Sequence, residues 1–364
     1  VVATTPLDER HMRRALFHAA RGTGRTTPNP MVGAVVVSSD GILIGQGYHA
    51  RAGEAHAEVH ALDAAGERAR GSTLYVTLEP CCHTGRTGPC TERIIAAGVR
   101  RVVAAMRDPD ARVSGRGFDE LLAHGVSVDV GLCEQDAARL NRAFVTTRTL
   151  GRPLVALKAA TSLDARVAAR AGERTAISSR ESQQRSQWLR AAIDAIAVGS
   201  GTVLADDPLL TARGCYRALP LTRVVFDRRL RTPAASRLFS TLDAGPVIVV
   251  TDNDEGADRA DQARVLRAAG ADILVAANLA EALAALVRRG VSTLLVEGGP
   301  EVQRAFVQAG LVDRLHLVIA PLAIGSQGTP WLDAETLKWP VDAMQTAEPR
   351  GTDIWIDTDV YGDR

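Results

Sequence analysis

Two hydrophobic periods alternate along this chain, and the alternation sketches its elements. Over 9–21, Met12, Leu16, Ala19 and Ala20 fall on one helical face. A β-branched run at 32–37 predicts a buried strand, Ser38-Ser39-Asp40-Gly41 a hairpin turn, and 42–48 the returning strand. Helical spacing resumes over 54–65. A strand at 73–78 leads into Glu79-Pro80 and a cysteine cluster, a helix at 92–97 closes on Gly98, and a strand follows at 99–106. A helix at 118–124 and a strand at 126–130 complete a first α/β alternation. The polar segment 146–153, rich in Thr and Arg, reads as a joint. Strands are then expected at 154–159, 195–198, 223–227, 246–251, 272–276, 293–297 and 315–320. Helices are expected between them at 179–192, 262–269, 279–288 and 301–309. The expected fold class is α/β, in two domains, 1–147 and 152–364.

Composition agrees with two separate cores: the chain has 364 residues, 46% hydrophobic and 23% charged. Lysine and arginine number 43 against 42 acidic residues, so no net field gathers nucleic acid or an anionic membrane. Lys158 and Lys338 are the only lysines, so nearly every cationic contact to a ligand falls to arginine. No run of about 18 apolar residues occurs, and the early charges of the first segment do not fit a signal peptide. These features predict a cytoplasmic protein with neither nucleic acid nor membrane as partner. In a reducing compartment, Cys81, Cys82 and Cys90 beside His83 favour metal over disulfide. Cys133 and Cys215 stand alone and are read as ordinary core or surface thiols.

The sharpest chemical signal is His56-Ala57-Glu58, followed by Glu79-Pro80-Cys81 and then Cys90. One imidazole and two thiolates leave the fourth tetrahedral position of zinc for water, the mark of a catalytic site. Zinc makes hydroxide available near neutral pH. Glu58 is not needed as a ligand and can take a proton and return it to a leaving amine. This is the H-x-E…P-C scheme of zinc deaminases. Helix starts beside both ligand groups favour thiolate and hydroxide. Residues two apart on an ideal helix point about 200° apart, so His56 and Glu58 converge only around a helix end.

Other readings compete. His56 and His60 form the i,i+4 pair of a metalloprotease, but Ala57 stands where that motif needs Glu. A structural zinc site needs a fourth strong ligand, which Cys82 or His83 could supply. Buried structural cysteines are the plainest reading, and a nucleic-acid deaminase lacks its basic stripe here. In the second half no G-x-G-x-x-G follows a strand. There, Glu297-Gly298-Gly299-Pro300 is either a phosphate cradle or a plain strand-to-helix turn.

The motifs taken together are more specific. Thr27-Pro28-Asn29-Pro30-Met31-Val32-Gly33, Gly47-Tyr48-His49, His56-Ala57-Glu58-Val59-His60, Tyr75-Val76-Thr77-Leu78-Glu79-Pro80-Cys81 and Gly85-Arg86-Thr87 line up in the first half. Cys81-x8-Cys90 departs from nucleoside and tRNA deaminases, whose two cysteines stand three apart. Ser162-Leu163-Asp164, Thr202-Val203-Leu204-Ala205-Asp206-Asp207-Pro208 and Val296-Glu297-Gly298-Gly299-Pro300 continue in the second half. Across nearly its whole length the chain resembles the bifunctional deaminase–reductases of riboflavin biosynthesis. The resemblance implies an N-terminal cytidine-deaminase-like α/β/α domain and a C-terminal dihydrofolate-reductase-like α/β domain. It implies zinc-dependent deamination of 2,5-diamino-6-(5-phosphoribosylamino)pyrimidin-4-one, then NADPH-dependent reduction of the ribose to a ribityl chain.

Carried over by position, the resemblance makes His56, Cys81 and Cys90 zinc ligands and Glu58 the proton shuttle. Asn29, His49 and Arg86 become substrate contacts of the deaminase. Ala160, Ala176, Thr202, Asp206 and Gly299 become cofactor contacts of the reductase. Arg174, Arg190, Leu210, Arg213 and Glu297 become its substrate contacts, the arginines suiting a phosphate. A homodimer through the reductase domain is also implied. The chain departs from the family at Cys82 and Gly88, where Ser and Pro are usual. It departs further at Ala165 for Gly and at Arg174-Thr175-Ala176 for Ser-x-Trp. Those departures keep open a zinc deaminase of another base or nucleotide with a repurposed reductase-like half.

Overall fold

Thr5 opens the first helix with a reciprocal cap: Asp8 N donates to the Thr5 hydroxyl, and Thr5 N donates back to the Asp8 carboxylate at 2.8 Å. The computed structural model describes residues 5–83, 88–110, 113–173, 175–253, 256–333, 336 and 345–360. They fall into two units, Val1–Gly151 and Arg152–Arg364.

The first unit runs α1 (Pro6–Ala20), β1 (Gly33–Val37), β2 (Leu43–Tyr48), α2 (Ala57–Ala65), β3 (Thr73–Val76), α3 (Cys90–Ala96), β4 (Arg101–Ala104), α4 (Arg116–Ala123), β5 (Ser127–Val130), α5 (Glu134–Leu140) and α6 (Arg142–Leu150). Its sheet has the order β2-β1-β3-β4-β5. β1 is antiparallel to both neighbours, and β3, β4 and β5 are parallel. Val35, Val36, Leu74, Val76, Val102 and Val103 bury both faces under helices. Glycine sets how deeply α2 docks. An added Cβ at Gly45 would lie 2.1 Å from the Ala61 carbonyl oxygen, and one at Gly47 would lie 2.7 Å from that of Ala57. Helix and strand therefore meet backbone to backbone, which fixes the start of α2 over the sheet.

The second unit runs β6 (Leu154–Ser162), β7 (Arg166–Ala168), α7 (Arg180–Ala192), β8 (Ala195–Gly199), α8 (Ser200–Asp206), β9 (Thr222–Phe226), β10 (Val247–Thr251), α9 (Ala257–Ala268), β11 (Ala271–Val275), α10 (Leu279–Arg288), β12 (Thr293–Glu297), α11 (Pro300–Gln308), β13 (Arg314–Ala320), β14 (Thr329–Pro330), β15 (Gln345–Arg350) and β16 (Asp353–Asp359). Its main sheet has the order β11-β10-β9-β8-β12-β6-β13-β16-β15. It is parallel from β11 to β13 and antiparallel beyond. Strand order turns back between β8 and β12, and the ends of those strands carry Gly199 and Glu297.

The structure differs from the sequence reading in five places. Segment 146–153 is helical as far as Leu150, because Phe144 and Thr146 give α6 a buried face, and Gly151 ends it at φ 65°. The helix expected from 54 starts at Ala57, and the one expected from 92 starts at Cys90. α5 fills 134–140. β15 and β16 extend the second sheet, with Trp355 of β16 buried against β13.

Ala165 occupies the bend between β6 and β7 at φ 56°, a conformation that costs an alanine about 1–2 kcal/mol. The bend is held from both sides: the Ser162 hydroxyl, Ile324 N and Gly325 N all donate to Asp164, at 2.6, 3.0 and 2.7 Å. Glycine at 165 relieves the strain but adds freedom to the unfolded chain. Ala165→Gly is expected to stabilise the protein by about 0.5–1 kcal/mol, read as a higher urea midpoint. A lower midpoint contradicts the strain.

Candidate active sites

His56 is the cap residue of α2, extended at φ −74° and ψ 165°, and Glu58 lies in the helix's first turn. The cap position removes the orientation problem of an i,i+2 pair inside a helix. Cys81 follows the end of β3, and Cys90 is the first residue of α3. The ligand atoms of His56, Cys81 and Cys90 all lie within 4.8 Å of one another. His56 Nδ1 is 3.2 Å from Cys90 Sγ and 3.5 Å from Cys81 Sγ, and Cys90 N donates to Cys81 Sγ at 3.4 Å. Zinc bonds of about 2.0–2.3 Å in a tetrahedron space the ligand atoms about 3.3–3.8 Å apart, so the donor set fits zinc. Among the described residues the group includes none of His60, Cys82 and His83. Both the protease pairing and the closed structural site therefore lack their further ligand.

The electrostatics agree. The Cys81 thiol is pulled down to about 4, first by the hydrogen bond from Cys90 and then by His56, against burial. Cys90 is pushed up, because it gives its proton to Cys81 and is buried. His56 is raised by its bond to Cys81. Burial first, and the negative charge of Cys81 second, push Glu58 up to about 7. Glu58 is 3% exposed, and its Oε2 is buried with no hydrogen-bond partner. An acceptor so placed awaits a ligand's proton.

Asn29, His49, Glu58 and the three ligands line one cavity of about 1050 Å³. His49 is 2% exposed. Its Nδ1 lies 3.2 Å from the Ala55 carbonyl oxygen and its Nε2 3.1 Å from Asn29 Nδ2. The carbonyl assigns the ring proton to Nδ1, so Nε2 accepts from the Asn29 amide. Burial pulls the pKa of His49 down and keeps the ring neutral. Asn141 holds the Asn29 loop, accepting from Met31 N at 2.8 Å and donating to Met31 O at 2.9 Å. The sequence reading missed this clamp; a lone polar residue between helices carries no motif. Arg86 lies outside the described residues.

In the second unit Arg190 Nε and Nη2 donate to the two Glu297 oxygens at 2.9 and 2.6 Å, and Nη1 donates to Thr211 O at 3.2 Å. The guanidinium holds the buried Glu297 carboxyl below its usual range, against burial. Lys158 stands beside Glu297 in register, and burial lowers its pKa. Lys158 was noted in sequence as one of two lysines, yet only strand register brings it to the pair. Leu210 is buried at φ 53°, one residue before Thr211. Arg213 is exposed and donates its backbone N–H to Gln187 at 2.9 Å.

Gly298 and Gly299 follow Glu297 at φ 66° and 77°, and α11 starts at Pro300. Thr202 Oγ1 lies 3.1 Å from where a Cβ on either glycine would sit, so these backbones come close. Ala160 is two residues past Lys158 on β6. Ala176 and Asp206 are exposed. Arg174 lies outside the described residues.

Comparison with known proteins covers both units. The family model of the cytidine and deoxycytidylate deaminase zinc-binding region matches residues 5–106, and that of the RibD C-terminal domain matches 153–350. The riboflavin biosynthesis protein RibD of Aquifex aeolicus is 42% identical over 321 residues, 88% of each chain. That of Escherichia coli is 40% identical over 354 residues, 93% of this chain and 94% of the other. The solved structure of Acinetobacter baumannii RibD superposes with a TM-score of 0.87 at 34% identity, covering 97% of this chain and 98% of that one. A deaminase/reductase structure from Thermotoga maritima gives 0.83 at 32% identity, covering 97% and 99%. With two solved structures and two curated relatives matched over nearly the full length, the chain belongs to the RibD family of riboflavin biosynthesis proteins.

Proposed function

We propose that the chain catalyses two consecutive steps of riboflavin biosynthesis on one phosphorylated pyrimidine. The first unit replaces the 2-amino group of 2,5-diamino-6-(5-phosphoribosylamino)pyrimidin-4-one with oxygen from water and releases ammonia. The second reduces the ribosyl group of the product to ribityl. The cofactors are zinc and NADPH. The carrying observation is a three-donor set beside an unpartnered, buried Glu58 in a cavity of about 1050 Å³.

In the first unit His56, Cys81 and Cys90 hold the metal. Zinc, when bound, supplies a Lewis acid that makes water nucleophilic near neutral pH. Glu58 Oε2 accepts a proton from the attacking water and delivers it to the departing amine. Burial raises this carboxyl, which favours its taking up the proton. His49 fixes the Asn29 amide, leaving the Asn29 oxygen to accept from a ring N–H. Arg86 meets the phosphate.

In the second unit NADPH supplies a hydride. Gly298 and Gly299, opening α11 beside Thr202, take the phosphates of the dinucleotide. Ala160, Ala176 and Asp206 complete its contacts. Arg190 orients Glu297 toward the ribosyl chain, with Lys158 beside it in strand register. The Arg190 fork is engaged by Glu297, so phosphate capture falls to the exposed Arg213, aided by Arg174, with Leu210 packing the chain between. A repurposed second half is not favoured, because the RibD C-terminal model matches it over 153–350. Balanced charge and five unpaired cysteines support a cytoplasmic enzyme without nucleic-acid or membrane partner. Among the described residues no helix is long and apolar enough to cross a membrane. By its likeness to the family we place a homodimer contact on the second unit.

Glu58→Gln keeps the metal donors and removes the proton carrier. Ammonia release is expected to fall at least about 10²-fold, while zinc content stays at one per chain by elemental analysis. Near-full turnover removes Glu58 from the mechanism. Arg190→Ala strands the buried Glu297, which costs about 3–5 kcal/mol for a broken buried pair. NADPH oxidation with the deaminated substrate should be lost while ammonia release stays within about twofold, since the two units bury separate cores. Equal loss of both activities contradicts that separation.

A further inference from the structure

The base of the proposed substrate carries two amino groups. The one at C2 leaves, and the one at C5 lies opposite it across the ring. A cytosine-type base has hydrogen at C5. An enzyme that tells the two apart needs an acceptor on the cavity wall away from the metal donors, because an amino group offers two N–H bonds. The segment between β4 and α4 lines the same cavity with Asp108, Asp110, Val113 and Arg116.

Most carboxylates in this cavity are already engaged. Glu79 accepts three backbone N–H groups, from Asp108, Gly115 and Gly117, at 3.1, 3.0 and 2.9 Å. Asp110 faces Arg148 at 3.9 Å. Glu120 accepts from the Thr91 hydroxyl at 2.8 Å, and Glu54 is open to solvent. Asp108 differs. Its Oδ1 accepts from Asp110 N at 2.8 Å, and its Oδ2 has no hydrogen-bond partner among the described residues. Burial pushes this carboxyl up. Its main chain is tied to Glu79, two residues before the metal donor Cys81. The carboxylate and the donor set therefore share one rigid frame.

We propose that Asp108 is the specificity-determining residue of the first unit: its Oδ2 accepts a hydrogen bond from the C5 amino group and selects aminated pyrimidines over those with hydrogen at C5. This assignment rests on the first unit being the diaminopyrimidine deaminase. Asp108→Asn tests it closely. Asparagine keeps the oxygen that accepts from Asp110 N and puts an amide NH2, a donor, where the unengaged acceptor stood.

The experiment measures ammonia release by the zinc-loaded full chain on the diamino substrate and on its analogue lacking the C5 amino group. The unmutated protein should favour the diamino substrate by about 10- to 100-fold in kcat/KM. In Asp108→Asn that preference should fall within about threefold. The loss should appear mainly in KM for the diamino substrate, with zinc content and analogue turnover unchanged. Asp108→Ser, whose hydroxyl can still accept from Asp110 N, gives the same readout if the Asn variant does not fold. The assignment is overturned if the unmutated protein does not discriminate, if the variants keep the preference, or if both substrates suffer in proportion. It is overturned too if Glu120→Gln loses the preference in place of Asp108→Asn. If the unmutated, zinc-loaded chain releases ammonia from neither substrate, the deaminase reading itself has failed, and this assignment falls with it.

Discussion

Two sulfur atoms and an imidazole nitrogen crowded within 4.8 Å govern the design of the first unit. In that space two thiolates repel, and lowering the Cys81 thiol goes with raising that of Cys90. A divalent cation held by His56, Cys81 and Cys90 would favour both thiolates, so metal affinity and ligand ionisation would be one event. Three separate segments must deliver the donors: the cap of α2, the end of β3 and the first residue of α3. Their convergence depends on Gly45 and Gly47, which let α2 rest on the backbone of β2. It also depends on Glu79, which gathers three backbone N–H groups just before Cys81. The same packing buries Glu58 and raises its pKa, so the proton carrier follows from the metal geometry.

The second unit is organised by a charge pair. Glu297 ends a parallel strand and is buried, a position that is costly for a carboxylate alone. The two-point bond from Arg190 keeps it ionised, and α7 is thereby tied to the end of β12. Immediately beyond, two left-handed glycines and the start of α11 present bare backbone beside Thr202. The proposed anion cradle and the paired carboxylate thus lie within three residues of each other, at the reversal of strand order where α/β sheets bind ligands.

Much of this was legible in sequence, for identifiable reasons. His56, Cys81 and Cys90 carry a spacing that few structural roles explain, and the alternation of periods gave both sheets. Ala165 stood out as a departure, and its positive φ shows what that departure strains. Other features depend on contacts between distant residues. Lys158 meets Glu297 only through the β6–β12 register. Asn141 clamps Met31 across 110 residues. The polar look of 146–153 hid a helix, because two buried residues in its first turns suffice to dock it. Asp108 sits in an ordinary Asp-Pro-Asp turn, and only its main-chain tie to Glu79, just before Cys81, singles it out. Arg190 was expected at the substrate phosphate, and its fork is turned to Glu297, a pairing set by where α7 packs against the end of β12.

The central claim is that the metal donors are one nitrogen and two sulfurs, with one position left for the reacting oxygen. X-ray absorption at the zinc edge of the purified full chain tests it directly. The account predicts two sulfur neighbours at about 2.3 Å and two lighter neighbours at about 2.0 Å, with one light neighbour exchanging when an inhibitor or substrate is added. A third sulfur, as Cys82 would contribute, or a closed set of four protein donors indifferent to ligand would contradict it.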